Sequence, residues 1–209
     1  MILNDNFRIE KIANKILETE KILKPPIKAE EIADFVYDLN FEEKNLNNYS
    51  NSGDVLAAID INNKLIIINS SKKQELYANE GRKNFTIAHE LGHYVLHRDI
   101  TDSKFVDLQT KIIFCREVGN FNNKIERQAD LFAVYLLMPE RMVRNEYSKI
   151  KEPFNEKNLK QLADKFCVSM ETMKIRLWRE LNLIYVDKAG KYYRNKTEAL
   201  EAGGQQKLF

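Results

Sequence analysis

Ile9, Ile12, Ala13, Ile16 and Leu17 recur at the three-and-four spacing of one helix face, which predicts an amphipathic helix over about residues 7–23, ended by Pro25-Pro26. A second helix is predicted over 29–37, with Ile32, Phe35 and Val36 turned inward. Residues 41–53 are polar and rich in asparagine, and read as a loop. Two runs of β character follow, 54–61 and 64–69. Asn62-Asn63 between them suits a hairpin, because asparagine tolerates the left-handed backbone of tight turns. The stretch 80–97 returns to helical spacing, with Phe85 and Ala88 on its inward side, and 105–117 looks extended. Residues 121–137 form another predicted helix, whose apolar end stops at Pro139. A further helix is expected over 139–149, since proline is tolerated at a first helical position.

After Glu152-Pro153 the texture changes. Residues 156–182 read as helix, a short turn at Val168-Ser169, and helix again. Residues 183–186 and 191–194 suit a small hairpin around Ala189-Gly190. The predicted class is therefore α+β: residues 1–152 as a main domain, 153–195 as a helical module resembling a helix-turn-helix, and 196–209 as a frayed, flexible tail. There are no internal repeats.

A chain of 209 residues with 44% apolar content can bury one sizeable core. Charged residues make up 31%, but the signs are mixed and the formal net charge is only +2, so bulk electrostatics point neither to nucleic acid nor to a membrane. Cys115 and Cys167 stand far apart with no metal-ligand spacing, and are expected to be reduced thiols. No signal peptide is legible at the N-terminus, and no apolar run approaches the ~20 residues of a membrane helix. A cytoplasmic protein is expected.

The chemistry is concentrated in His89-Glu90-Leu91-Gly92-His93. On a helix the two histidines of H-E-x-x-H lie one turn apart on one face, where both imidazoles can grip one divalent ion. Glu90 between them is left free to act as a general base towards water. Glu126, at the start of the next helical stretch, supplies a third protein ligand. Two histidines and a glutamate are a donor set used by zinc hydrolases, so the pattern points to a zinc-dependent peptidase. His97 is too far along an unbroken helix, roughly 12 Å from His89 at ~1.5 Å per residue, to share the same ion, and is expected behind the ligands or at the helix end. Asp130, one turn after Glu126, is placed to accept the free N–H of a ligating imidazole. Hydrolysis also needs an oxyanion stabiliser, for which His97, Tyr94 and Tyr135 are the candidates. The strand 65–68 would take an extended substrate as an added strand if it lies at a sheet edge.

Residues 85–97 (FTIAHELGHYVLH) and 126–139 (ERQADLFAVYLLMP) together resemble the ImmA/IrrE family of metallo-endopeptidases. Weaker similarity reaches the preceding hairpin and residues 162–177. The resemblance implies a zincin-like fold, an active-site helix packed on a small mixed sheet. It also implies zinc held by His89, His93 and Glu126, with Glu90 as catalytic base. A protein substrate is implied as well, a helix-turn-helix repressor cleaved in a stress-response or mobile-element switch. An arginine that the family carries just upstream corresponds loosely to Arg82.

Residues 157–183 carry Lys157, Lys160, Lys165, Lys174, Arg176 and Arg179 against Asp164, Glu171 and Glu180, with Ser169 placed as N-cap of the second helix. DNA binding is thus a rival reading of this module. Met173, Leu177, Trp178 and Leu181 on the same helix favour packing instead. Two further alternatives stand beside the peptidase: a metal-holding or DNA-binding regulator that does not cleave, and a toxin-like peptidase with another host target. The sequence leaves the oligomeric state open.

Overall fold

A computed structural model describes residues 2–47, 55–98, 112–116, 124–151 and 153–205, with side chains described for all of these but 2–4, 112–116 and 203–205. Its architecture is α+β, with helices gathered on one face of a small mixed sheet.

The first helix, α1 (Ile2–Thr19), buries Ile9, Ala13, Ile16 and Leu17 of the predicted stripe, with Ile12 partly buried against the same core. It ends before the prolines: Lys21 takes a left-handed backbone (φ 55°) and Ile22 N–H closes back on Leu17 O at 2.9 Å. The next helix, α2 (Ala29–Phe35), is shorter than expected and buries Ala29, Ile32 and Ala33. Phe35 points outward, 81% exposed, and Val36 is exposed as well. The inward assignment of these two was wrong: Ile32 and the two alanines already cover the contact face.

The segment read as a loop from 41 onward contains a strand, β1 (Asn40–Lys44), paired in parallel with β3 (Leu65–Asn69). Its side chains are almost all exposed, so it carries no apolar alternation to read. Residues 48–53 of the same stretch lie outside the described residues. The expected hairpin is present, β2 (Val55–Asp60) against β3, antiparallel. Its left-handed residue is Lys64 (φ 50°) rather than an asparagine. Asp60 holds the turn instead, accepting from Asn63 N–H at 3.0 Å and Asn63 Nδ2 at 2.8 Å. The last strand, β4 (Ile112–Arg116), pairs with β2, giving the order β1-β3-β2-β4. β3 is therefore interior, and 65–68 cannot take up a substrate strand. The sheet edges among the described strands are β1 and β4.

Every residue of β2 is buried. Ile66 and Ile68 of β3 join the main core, while Ile67 turns to the other face with Val55, Ala58 and Leu46. After the short α3 (Lys73–Tyr77) comes α4 (Glu80–His97), which packs on β2 and runs through the centre of the molecule. Asn79 caps α4, its side chain accepting from Arg82 N–H at 2.9 Å, and Arg82 itself pairs with Glu75. The segment Thr86–Tyr94 is buried on all sides, against the sheet, α2 and α5 (Lys124–Leu137).

After α6 (Glu140–Tyr147), with Pro139 as its N-cap, the C-terminal part comprises α7 (Glu156–Phe166) and α8 (Met170–Ile175), the latter continued by a π-helical turn, Arg176–Glu180. Ser169 caps α8 as expected, accepting from Thr172 N–H at 3.1 Å. The small hairpin is β5 (Tyr185–Val186) against β6 (Tyr192–Tyr193). The expected frayed tail is instead helical over α9 (Lys196–Gln205). Asn195 caps it, accepting from Glu198 N–H at 2.9 Å, while Glu198 reaches back to Arg194 N–H at 2.7 Å. Leu159, Phe166, Met173 and Leu177 lie in the same core as Ile9 and Leu91. Apolar packing therefore continues across residue 152 into the C-terminal helices. No described helix is long and apolar enough to cross a membrane.

Candidate metal centre

Helix α4 turns its polar face towards α5. His89, Glu90 and His93 are buried, with Glu90 and His93 fully inaccessible. Buried polar side chains of this kind persist only with partners. The Nε2 atoms of His89 and His93 lie 2.9 Å apart. Glu126, on the first turn of α5, brings Oε2 to 3.3 Å from His89 Nε2 and Oε1 to 3.4 Å from His93 Nε2. Ligand atoms of the three residues all fall within 4.8 Å of one another.

The proton arrangement favours a cation in their midst. His89 Nδ1 donates to Asp130 Oδ1 at 2.8 Å, so a neutral His89 presents its Nε2 lone pair to the cluster. Burial lowers the pKa of His93 against the opposing pull of the nearby Glu126 carboxylate, and the imidazole is held neutral. Burial alone would raise the pKa of Glu126, but the facing His89 and His93 imidazoles overcome it and keep the carboxyl well below its usual range. Lone pairs and a carboxylate thus converge on one point. Donors ~2.0–2.1 Å from a tetrahedral ion lie roughly 3.3 Å apart, close to the spacings found, so the residues fit a divalent metal with little movement.

Gly92 makes this meeting of α4 and α5 possible. A Cβ there would lie 3.1 Å from Phe132 Cδ1 and 3.2 Å from both Cα and O of Ala129. Alanine would add about 1 kcal/mol of helix propensity, but overpacking costs about 1–3 kcal/mol, and the obstruction is backbone, which yields poorly. Gly92→Ala is therefore expected to lower the melting temperature and weaken metal binding together, by prising Glu126 away from the histidines. An unchanged melting curve and unchanged metal affinity would refute that packing argument.

His97 lies behind His93, its Nδ1 3.1 Å from His93 Nδ1 and its Nε2 3.1 Å from Gln128 Oε1. Burial and the neighbouring His93 push its pKa down to about 4. Tyr94 packs edge-on against Tyr37, with ring centroids 5.9 Å apart, and Tyr135 packs under the Arg176 guanidinium, 5.0 Å from the ring centroid. Both nitrogens of His97 are engaged, by His93 and by Gln128. Gln128 and Asp5, which sequence reasoning passed over, stand behind the cluster: Gln128 Nε2 faces Asp5 Oδ2 at 3.5 Å, and Lys124 Nζ lies 3.3 Å from the same oxygen.

The basic residues of the C-terminal module are largely committed. Arg176 is buried, donating to Met138 O and pairing with Glu180. Lys165 reaches Glu146, Lys174 pairs with Glu171, and Arg179 lies over the Trp178 ring. The turn between α7 and α8 is occupied too, because a Cβ on Gly81 of α4 would sit 2.8 Å from Val168 C. Cys167, in that turn, takes a left-handed backbone (φ 52°) and carries a free thiol. The side chain of Cys115 lies outside the described residues.

A histidine-pair helix packed on a small mixed sheet, completed by a carboxylate from the following helix, is the zincin-like arrangement. The chain belongs to the IrrE N-terminal-like domain family, a peptidase family that matches residues 36–178. It is 39% identical over 61 residues to metallopeptidase ImmA of Bacillus subtilis (strain 168), a match covering 29% of this chain and 31% of that protein. A Mycobacterium tuberculosis transcriptional regulator of known structure shares the fold, with a TM-score of 0.52 and 16% identity. The superposition covers 90% of this chain and 55% of that one, so the chain spans about half the length of that neighbour and about a third of the curated relative is matched.

Proposed function

We propose that the protein is a cytoplasmic, zinc-dependent endopeptidase of restricted specificity, and that its target is a helix-turn-helix repressor in a stress-response or mobile-element switch. The observation that carries the catalytic reading is the convergence of His89, His93 and Glu126 within 4.8 Å, with Glu90 buried on the helix of the two histidines. His89, His93 and Glu126 would hold the ion, two nitrogens and one oxygen being a zinc-hydrolase donor set. When bound, zinc supplies Lewis acidity, polarising a carbonyl and lowering the pKa of water towards ~7. Glu90 accepts the proton of the attacking water on its carboxylate and returns it to the leaving amine. Asp130 fixes the tautomer and ring orientation of His89. The C-terminal helices buttress α4 and α1, consistent with the burial of Arg176 and the close approach of Gly81 to Val168. β4, the edge strand next to α4, is the place where an extended substrate would add as a strand.

Co-expression with any helix-turn-helix repressor encoded beside its gene tests the substrate. One or a few discrete fragments are expected, abolished by a chelator, while casein is cut poorly. An intact repressor under zinc-replete conditions would remove that target. Asp130→Asn is expected to lower zinc affinity roughly 10–100-fold, the usual effect of losing a partner behind a ligand. Chelator competition giving wild-type affinity would leave Asp130 without a role at the site.

A further inference from the structure

The two imidazoles of the cluster are backed differently. His89 Nδ1 meets Asp130, and an ionised carboxylate only accepts hydrogen bonds, so the proton must sit on Nδ1 and the lone pair on Nε2. His93 has another imidazole behind it instead, with the two Nδ1 atoms 3.1 Å apart. One of these nitrogens donates and the other accepts, and the distance alone does not say which.

The direction is set further back. Gln128 lies between His97 and Asp5, its Oε1 3.1 Å from His97 Nε2 and its Nε2 3.5 Å from Asp5 Oδ2, the outer range of a hydrogen bond. Asp5, held by Lys124 at 3.3 Å, has only acceptors to offer. The amide nitrogen must therefore face Asp5 and the amide oxygen must face His97. His97 then donates from Nε2 and accepts at Nδ1. His93 donates from Nδ1 and keeps its Nε2 lone pair for the cluster. A reversed amide would set its oxygen against the Asp5 carboxylate, invert the two bonds beyond it and aim an N–H of His93 at the place where the ion would sit.

We infer that Asp5, Gln128 and His97 form a proton-ordered relay that positions His93 as a ligand, an inference that rests on the metal-site reading above. Gln128 and Asp5 are then positioning residues. Asp5 belongs to α1, ahead of the residues 36–178 matched by the family, so the N-terminal helix contributes to the site.

The test uses the full chain as wild type, as Gln128→Met, which keeps length but removes donor and acceptor, and as Gln128→Glu combined with Asp5→Asn. The double variant keeps an acceptor for His97 and a donor–acceptor pair at the far end. Chelator competition should show zinc affinity about tenfold lower for Gln128→Met, with unchanged helical circular dichroism, and restored in the double variant. Nitrogen-15 correlation spectra of the imidazoles in zinc-free wild type should show His97 protonated on Nε2. Protonation on Nδ1, or a Gln128→Met protein binding zinc as tightly as wild type, would overturn the relay. Should the wild type hold no zinc at all, the peptidase reading falls, and the tautomer of His97 still decides the relay. That same spectrum decides it if Gln128→Met fails to fold.

Discussion

Glu90→Gln is expected to keep its zinc and its melting temperature while losing proteolysis by at least ~10²–10⁴-fold, the contribution usual for general acid–base assistance. Glu90 does not contribute to the donor cluster, which is made by His89, His93 and Glu126, so metal content should not change. The amide has nearly the same volume as the carboxylate, which matters for a side chain with no exposed surface. What the amide lacks is a basic oxygen, so no proton can be taken from the attacking water or returned to the amine. Elemental analysis and a fragment assay on the same preparation make the comparison. A Glu90→Gln protein that cuts at near wild-type rate would remove the proposed role of Glu90, whatever its zinc content.

Legibility followed the periodicity. Helices α4 and α5 were readable because apolar spacing and the H-E-x-x-H pattern coincide there, and the pairing of His89, His93 and Glu126 needed only that both helices face one another. β1 was not readable because side-chain alternation reports burial, and an exposed edge strand has none. Phe35 shows the opposite case: an aromatic at helical spacing reads as core, but α2 fills its contact face with smaller residues. α9 did leave a signal, Asn195 followed three residues later by Glu198, the capping pair that opens it. The contact between Asp5 and Gln128 left none, because it joins positions 123 apart in sequence through polar atoms that no spacing rule connects.

Glu126→Ala is expected to empty the site, because a three-donor site reduced to two histidines binds poorly. Wild type should carry close to one zinc per chain after purification, and Glu126→Ala only a small fraction of that. Stability gives an independent reading. Zinc held by these donors would bind only the folded state, so at a hundredfold excess over its dissociation constant it should stabilise the wild type by about 2.7 kcal/mol. For a chain of this size each kcal/mol moves the melting temperature by roughly 2–4 °C, so added zinc should raise it by about 5–10 °C. In Glu126→Ala that rise should vanish. His97→Ala provides the contrast. His97 meets His93 through Nδ1, on the side away from the cluster, so the variant should still fill with zinc at saturating concentration and still show the thermal shift. If His97→Ala comes out empty while Glu126→Ala remains loaded, the third ligand is His97, and α5 plays no direct part in holding the metal.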